Sequence, residues 1–481
     1  MRFTVIIRYT GMVLLLNAGF MLLSALISFF NEMDTGFYPL LLSFVLTLAL
    51  GMFPLIFVRP ESDITTKESY VIVVGSWLLA CFVGTFPYML WGGEFNPINA
   101  WFESTSGFTA TGSTILRNIE ALPKGMLFWR SSTHWLGGVG VVMFAMVILP
   151  SLGKIKATLS NMEISTFAKE NYHYKTKKIL QILLFVYIGL TLLETVLLRV
   201  AGMDWFDAVN HSFSTIATGG LSPKNASIAY YDNVWIEAVI FFFMVVSGLH
   251  FGLIFATLTG KSNNLFRSEV ARLYLLFILV GGALISFNLW FTNSYESLPT
   301  AFRHGYFQFA SILTTTGFST ADSTFWPPFS VMLLILASII CGCAGSTSGG
   351  VKVDRVLLSY KGIAAKLKQQ QHPNAIIRIK INNVHYDDKM VGFASIFIVC
   401  YLAAVGVGTV VCTLFGSDLM TSFSIAFGSM SNVGPGFGQV GSMSNYAELP
   451  EGTKIVSSLL MLLGRLEVFG FIQMFLLRSW R

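Results

Sequence analysis

The chain has 481 residues, 54% of them hydrophobic and only 12% charged, with a mean hydropathy of +0.66. Soluble domains carry about 25% charged residues, so this composition excludes a soluble globular protein and predicts a polytopic protein of the lipid bilayer. The net charge of +6 arises in local loop clusters, which excludes a broad basic face for nucleic acid.

In chain order, the first apolar run covers 5–30, with Arg2 ahead of it and Arg8 near its start. It is long, lacks a small-x-small cleavage site and is followed by a second run at 38–58, so it reads as a retained span and not a signal peptide. An acidic turn with Glu32 and Asp34 joins the two, and a polar linker fills 59–67. The five cysteines, Cys81, Cys341, Cys343, Cys400 and Cys412, lie mostly inside apolar runs. Their spacing matches neither a disulfide framework nor a zinc site.

Four similar units follow. A spanning helix needs about 20 apolar residues, and each unit pairs such helices with a segment too short to cross. The first unit has a helix at 70–91, a short segment at 98–108, a turn at Thr111-Gly112 and a helix at 127–150. That last helix begins with Arg130 and His134 and carries Gly137, Gly138 and Gly140, small residues that let helices approach closely. His134 reads as a proton relay or as a hydrogen-bonding group near the helix entry. The second unit has a helix at 179–200, a short helix at 205–216, the turn Thr218-Gly219-Gly220 and a helix at 234–258. Glu194 lies inside an apolar span and is a functional candidate by default; a structural pair with Arg199 is the alternative. His250 sits in a Gly-bearing helix and reads as packing.

The third unit has a helix at 273–291, a short helix at 301–314, the turn Thr316-Gly317 and a helix from 329. That helix is interrupted by Cys341-Gly342-Cys343-Ala344-Gly345-Ser346-Thr347-Ser348-Gly349-Gly350 and resumes at 351–365. Four Gly among Ser and Thr disfavour continuous helix. Irregular backbone at membrane depth is tolerated only where it is buried or lines a water-filled cavity, which predicts a loop in the pore below the turns. A phosphate-loop reading fails, because Val351 separates Gly350 from Lys352 and no strand precedes it. After a basic stretch at 361–380, the fourth unit has a helix at 390–414, a short helix at 419–430, the turn Val433-Gly434 and a helix at 454–477 with Arg465 and Glu467 near its middle. A free charge at the bilayer centre costs at least about 2.5–3.5 kcal/mol, so Arg465 must face water, a carboxylate or free carbonyls.

The turns recur at roughly 100 to 120 residues. The reading is an all-α polytopic membrane protein of four tandem helix–pore-helix–helix units around a pseudo-four-fold pore, plus two extra N-terminal transmembrane helices. The units are 68–160, 161–265, 266–385 with an intramembrane gating loop at 341–350, and 386–481, after the extra pair at 1–67. Turns of Thr or Val before Gly can aim carbonyl oxygens inward and replace the water shell of a cation such as K+. The short helices would direct their partly negative C-terminal ends at the ion. The alternative is four re-entrant packing turns without a pore. With a cytoplasmic N-terminus all four turns open outward. The opposite loops then hold Lys154, Lys156, Lys169, Lys175, Lys177, Lys178, Lys261, Arg267, Arg272 and the cations of 352–380, in keeping with positive-inside topology. The turn side holds acids from Glu32 and Glu94 to Glu448 and Glu451, and an acidic vestibule concentrates cations.

These four units resemble the potassium transporter superfamily of bacterial Trk and Ktr membrane subunits and plant HKT transporters, over nearly the whole chain. The two extra N-terminal spans and the 341–350 loop are most similar to the TrkH type. The resemblance implies K+ as the transported ion, with no bound cofactor and no enzymatic activity. It places a K+ filter at Ala110, Thr111 and Gly112; Ala217, Thr218 and Gly219; Thr315, Thr316 and Gly317; and Asn432, Val433 and Gly434. It places a gate at Gly342, Gly345, Gly349, Gly350 and the pore arginine Arg465. Ala110 and Ala217 stand where a potassium channel has Thr, and Asn432 and Pro435 also depart from a channel filter, whereas Gly112 matches the K+-preferring members. The resemblance further implies a homodimer with one pore per subunit in the bacterial inner membrane. Its partner would be a separate cytosolic nucleotide-binding ring of the RCK type, docked on the basic inner face. The expected function is gated, K+/Rb+-selective uptake. The alternative on the same fold is symport with H+ or Na+, with Glu194, His134 and Glu467 as relay candidates. A membrane enzyme would need a convergent catalytic set, and His134, His211, His250 and His304 are scattered one per region.

Overall fold

Each of the four short helices begins on a polar residue whose side chain closes its first turn. Asn96, Asp204, Ser297 and Asp418 accept from the backbone N–H of Asn99, Asp207, Thr300 and Thr421, three residues on in every case. Such a cap satisfies one of the orphan donors of a helix start and contributes about 1 kcal/mol. In the computed structural model, which describes residues 2–59, 65–151, 176–260, 264–375, 377–382 and 384–467, these helices recur at one place in four tandem units.

Two long helices precede the units, α1 (Phe3–Phe30) and α2 (Phe37–Phe57). They pack through glycines: a Cβ added at Gly11 would stand 2.9 Å from the Gly51 carbonyl oxygen. Unit one comprises α3 (Thr66–Gly84), α4 (Phe86–Trp91), the short α5 (Pro97–Phe108) and α6 (Lys124–Ser151). Arg2 ties the chain start to this unit by an ion pair with Glu68 at 2.9 Å. Unit two comprises α7 (Thr176–Val200), the short α8 (Trp205–Ile216), α9 (Val234–Ser247) and α10 (Phe251–Leu258). Unit three comprises α11 (Glu269–Phe291), the short α12 (Leu298–Leu313), α13 (Pro328–Ile340) and α14 (Val353–Gln371). Unit four comprises α15 (Asp388–Leu414), the short α16 (Leu419–Ser431) and α17 (Glu451–Arg465). A small antiparallel hairpin, β1 (Ile379–Ile381) and β2 (Val384–Tyr386), precedes unit four with Ile379 opposite Tyr386.

The short helices have 12, 12, 16 and 13 residues. At 1.5 Å per residue they reach roughly 18 to 24 Å, less than the hydrocarbon core of a bilayer at about 30 Å. Among the described residues, six helices are long and apolar enough to cross a membrane, or seven if α9 and α10 count as one span. The protein is an all-α polytopic membrane protein.

Three elements differ from the sequence reading. The helix expected at 234–258 is broken: α9 and α10 meet at 104°. Gly248 ends α9, and His250 caps α10 by accepting the Gly252 N–H at Nδ1, 2.9 Å. The last helix ends at Arg465, and Glu467 has a left-handed φ of 51°. Arg465 therefore sits at the helix end and not near its middle. The helix after the 341–350 loop starts at Val353, and part of the basic stretch at 361–380 belongs to it. The continuation to 477, the unit boundary at 160, and Lys154, Lys156, Lys169, Lys175 and Lys261 lie outside the described residues.

Candidate functional site

Every short helix runs into a three-residue turn built in the same way. In the first turn, Ala110 N–H donates to the Gly107 carbonyl and Thr111 N–H to the Ser106 carbonyl, both 2.9 Å. The corresponding pairs are Thr218 to Thr215 and Gly219 to Ser214, Thr315 to Ile312 and Thr316 to Ser311, and Asn432 to Ser429 and Val433 to Gly428. The first residue of each turn is left-handed, with φ of 50°, 54°, 61° and 56° at Ala110, Thr218, Thr315 and Asn432. The third is a glycine at φ of 85°, 84°, 78° and 87°: Gly112, Gly220, Gly317 and Gly434. A side chain strains this backbone conformation, which is why glycine occupies it.

The second turn therefore differs by one residue from the sequence reading. Its triplet is Thr218, Gly219 and Gly220, and Ala217 is the residue that ends the short helix, as Thr109 and Thr314 do. Thr111, Thr316 and Val433 carry a side chain at the middle position. At Gly219 that space holds the His134 ring, which a Cβ there would strike. His134 Nδ1 is hydrogen bonded to Ser214 Oγ at 2.9 Å.

The four turns close on one another. A Cβ added at Gly112 would overlap the carbonyl oxygen of Gly219, at Gly220 that of Thr316, at Gly317 that of Val433, and at Gly434 that of Thr111. Each third residue thus abuts the middle carbonyl of the next unit, and the fourth abuts the first. A cavity of about 130 Å³ opens on this ring, lined by Gly112, Gly220, Gly317 and Gly434 together with Ser113, Tyr446 and others. Asn432 ties the ring where unit four meets unit one: Nδ2 donates to Thr111 Oγ1 at 2.9 Å and to the Met461 carbonyl at 3.0 Å.

Behind the first turn lies a buried ion pair that the sequence reading did not single out. Arg130 Nε donates to Glu103 Oε1 at 2.8 Å, with side-chain exposures of 1% and 0%. Glu103 also accepts from Thr114 Oγ1 and the Ile115 N–H, each at 3.0 Å, and Arg130 reaches the Ser222 carbonyl at 3.5 Å. The signal was available: an acid inside a short apolar helix needs a buried cation, and Arg130 opens the following helix.

The 341–350 loop sits against the ring, on the side away from the cavity. Thr347 Oγ1 donates to the Ile216 carbonyl at 3.0 Å, at the end of α8. The Gly349 N–H donates to Thr315 Oγ1 at 3.2 Å. A Cβ at Gly349 would overlap the Ser431 carbonyl oxygen. The loop therefore touches units two, three and four. Arg465 Nη1 donates to the Thr347 carbonyl at 2.6 Å, which supplies one of the free carbonyls its charge requires. Gly342 and Gly345 lie along the break between α9 and α10: Cys343 N–H donates to the Gly248 carbonyl at 2.8 Å and Phe251 N–H to the Gly345 carbonyl at 3.2 Å. Gly350 abuts Cys341, and beyond it Lys352 and Arg355 pair with Glu467 at 3.1 and 2.6 Å.

The remaining candidates fall elsewhere. Glu194 is fully buried on α7 and forms no ion pair among the described residues, while Arg199 turns to the Met203 carbonyl at 3.1 Å. His211 Nε2 is bonded to Ser222 Oγ at 3.0 Å, and His304 Nδ1 to Thr320 Oγ1 at 3.1 Å. His134 is bonded to Ser214 and Glu467 is paired with Lys352 and Arg355, so these bonds do not join them to Glu194.

Comparison with known proteins agrees with this architecture. Residues 38–479 match the family model TrkH, described as a cation transport protein. The chain is 34% identical to the Trk system potassium uptake protein TrkH of Salmonella typhimurium and 35% identical to that of Halomonas elongata, with all of each chain covered. It is 32% identical to the Trk system potassium uptake protein TrkG of Escherichia coli, over 87% of this chain and 86% of that one. The crystal structure of the potassium transporter TrkH from Vibrio parahaemolyticus superimposes with a TM-score of 0.91 at 31% identity over both full lengths. With four capped short helices, a closed ring of turns and full-length identity above 30%, the chain belongs to the TrkH family of cation transport proteins.

Proposed function

We propose that this protein takes up potassium ions across the bacterial cytoplasmic membrane through the ring of four turns. The observation that carries the reading is the cyclic closure itself, each glycine against the middle carbonyl of the next unit. Backbone oxygens gathered in a ring can replace the water of a monovalent cation, which supports this reading. The four short helices end at the ring, and their partly negative termini favour a cation there. The ion is the cargo. Ala110, Thr111, Gly112, Thr218, Gly219, Gly220, Thr315, Thr316, Gly317, Asn432, Val433 and Gly434 form the filter in this reading, which prefers K+ and Rb+ to Na+.

The loop from Gly342 to Gly350 is the gate, held by Arg465. A cytosolic nucleotide-binding ring moves it through α14, whose cations lie on the inner side. The protein works as a homodimer with a cytoplasmic N-terminus. A second reading, H+- or Na+-coupled transport, is favoured by one observation, the buried carboxyl of Glu194 without a cationic partner among the described residues. It predicts that Rb+ flux drives proton or Na+ movement and that Glu194→Gln uncouples the two.

The deciding experiment is Rb+ uptake into K+-loaded liposomes containing the purified protein, competed by external K+ or Na+. Uptake blocked by K+ and far less by Na+ is expected. Equal competition removes the selective filter. Silence both in the native protein and in a variant with a shortened 342–350 loop removes the pore.

A further inference from the structure

We propose that Gly349 and the permeant cation compete for the inner end of the ring, so that the ion itself unseats the loop. The proposal rests on the transport reading above. The glycines of the four turns line the outer cavity, which leaves the first residues of the turns, Ala110, Thr218, Thr315 and Asn432, at the opposite end. Two of these meet the loop at a single residue. Thr315 Oγ1 accepts the Gly349 N–H at 3.2 Å. Asn432 Oδ1 is buried with no hydrogen-bond donor among the described residues, and a Cβ on Gly349 would stand 3.0 Å from it. The orientation of that amide is fixed, because its Nδ2 is already committed to Thr111 Oγ1 and the Met461 carbonyl.

The seated loop thus does what a cation would do. The Gly349 N–H takes a lone pair of Thr315, the Thr347 hydroxyl takes one from the Ile216 carbonyl at the end of α8, and the guanidinium of Arg465 stands behind them on the Thr347 carbonyl. Two loop donors thus occupy oxygens at the inner end of the ring, and one positive charge is held behind them on the loop's own Thr347 carbonyl. When the loop leaves, those oxygens lose their donors, and a buried acceptor without a donor is unfavourable. A cation fills the deficit only in the unseated state. A ligand that binds one of two states shifts the equilibrium toward that state, and by linkage the seated loop lowers the affinity of the inner end for the ion.

Cys341 and Cys343 report the seat. Both are buried; Cys341 Sγ donates to the Ser338 carbonyl, and the Cys343 backbone N–H to that of Gly248. The full-length protein in lipid nanodiscs is labelled with N-ethylmaleimide and the two cysteines are resolved by peptide mass spectrometry. K+ replaces N-methylglucamine at constant ionic strength. The expected result is a labelling rate that rises at least about fivefold with K+ or Rb+, the low end of common coupling strengths, and less with Na+. Thr315→Val raises the baseline and flattens the K+ response, and Thr315→Ser restores it. Labelling that is indifferent to K+, or slowed by it, overturns the competition. Rb+ flux through the same preparation separates the two failures. Flux with K+-indifferent labelling ends the competition and leaves transport standing, whereas K+-indifferent labelling with no flux, in this preparation and in the variant with a shortened 342–350 loop, ends the transport reading as well.

Discussion

Glu103 and Arg130 are buried together behind the first turn. Burying two charges costs several kcal/mol per ion, and the pair is tolerated only when its remaining lone pairs and protons are satisfied. Here Thr114, the Ile115 N–H and the Ser222 carbonyl complete it. Those partners lie just past the turns of units one and two, so the pair clamps two neighbouring quarters of the ring. Removing one partner strands a charge. Glu103→Ala or Arg130→Ala should each lower stability by about 3–5 kcal/mol, read as a lower midpoint of thermal unfolding in detergent, and should weaken discrimination between Rb+ and Na+. An apolar double replacement, Glu103→Leu with Arg130→Met, should recover stability but not discrimination. Recovery of both would make the pair mere packing. Arg465 is the opposite case, a buried cation with one bond: Nη1 reaches Thr347, while Nε and Nη2 have no partner among the described residues. A hydrogen bond to a charged group contributes about 1.5–3 kcal/mol, so losing it shifts the loop roughly 10- to 150-fold toward its unseated state. Arg465→Ala should raise Rb+ uptake accordingly, up to the limit of a fully open pore. Unchanged uptake would remove Arg465 from gating.

At the scale of elements, the four short helices were legible because each is an apolar segment too short to span, opened by a capping residue and closed by a Thr-Gly or Val-Gly turn. The break between α9 and α10 was not legible. Residues 247–252 read as a helix carrying two glycines, and what bends it is tertiary: the Gly248 carbonyl and the Phe251 N–H are taken by Cys343 and Gly345 of the loop nearly 100 residues away in the chain. The end of the last helix at Arg465 was hidden for a related reason, since Glu467 leaves the helix and pairs with Lys352 and Arg355 beyond the loop. The broken helix and the interrupted helix are therefore two halves of one joint. Its tightest point is Gly345, where a Cβ would strike the His250 ring. Gly345→Ala should displace the loop and raise Rb+ uptake. Adding His250→Ala removes the obstacle and should return uptake part of the way. Only part is recovered, because Gly345 has a φ of 77° that alanine adopts at a cost of about 1–2 kcal/mol. If the double variant stays as active as Gly345→Ala, the two helices are not joined through this contact.

At the scale of the molecule, the repeat was legible and its register was not. In units one, three and four the middle residue of the turn is Thr or Val, so the glycine that follows is easy to place. Unit two offers two glycines, Gly219 and Gly220, and the chain alone gives no reason to prefer the second. The reason lies across the ring: His134 of α6 fills the place of the missing side chain and holds Ser214, while the equivalent Ser106 and Ser311 instead donate to the carbonyls of Ser113 and Phe318. This makes the two glycines experimentally distinct. Gly219 has no left-handed backbone and its nearest obstacle is the His134 side chain, whereas Gly220 has a φ of 84° and is crowded by the Thr316 backbone. Gly219→Ala should impair Rb+ uptake and selectivity, and His134→Ala should rescue it, less the modest loss of the Ser214 bond, about 1 kcal/mol. Gly220→Ala should be at least as damaging and indifferent to His134→Ala, because no side chain can be trimmed to make room in a ring closed by backbone. Rescue of Gly220→Ala and not of Gly219→Ala would return the register to the one the sequence alone favours, and would break the cyclic contact on which the filter reading stands.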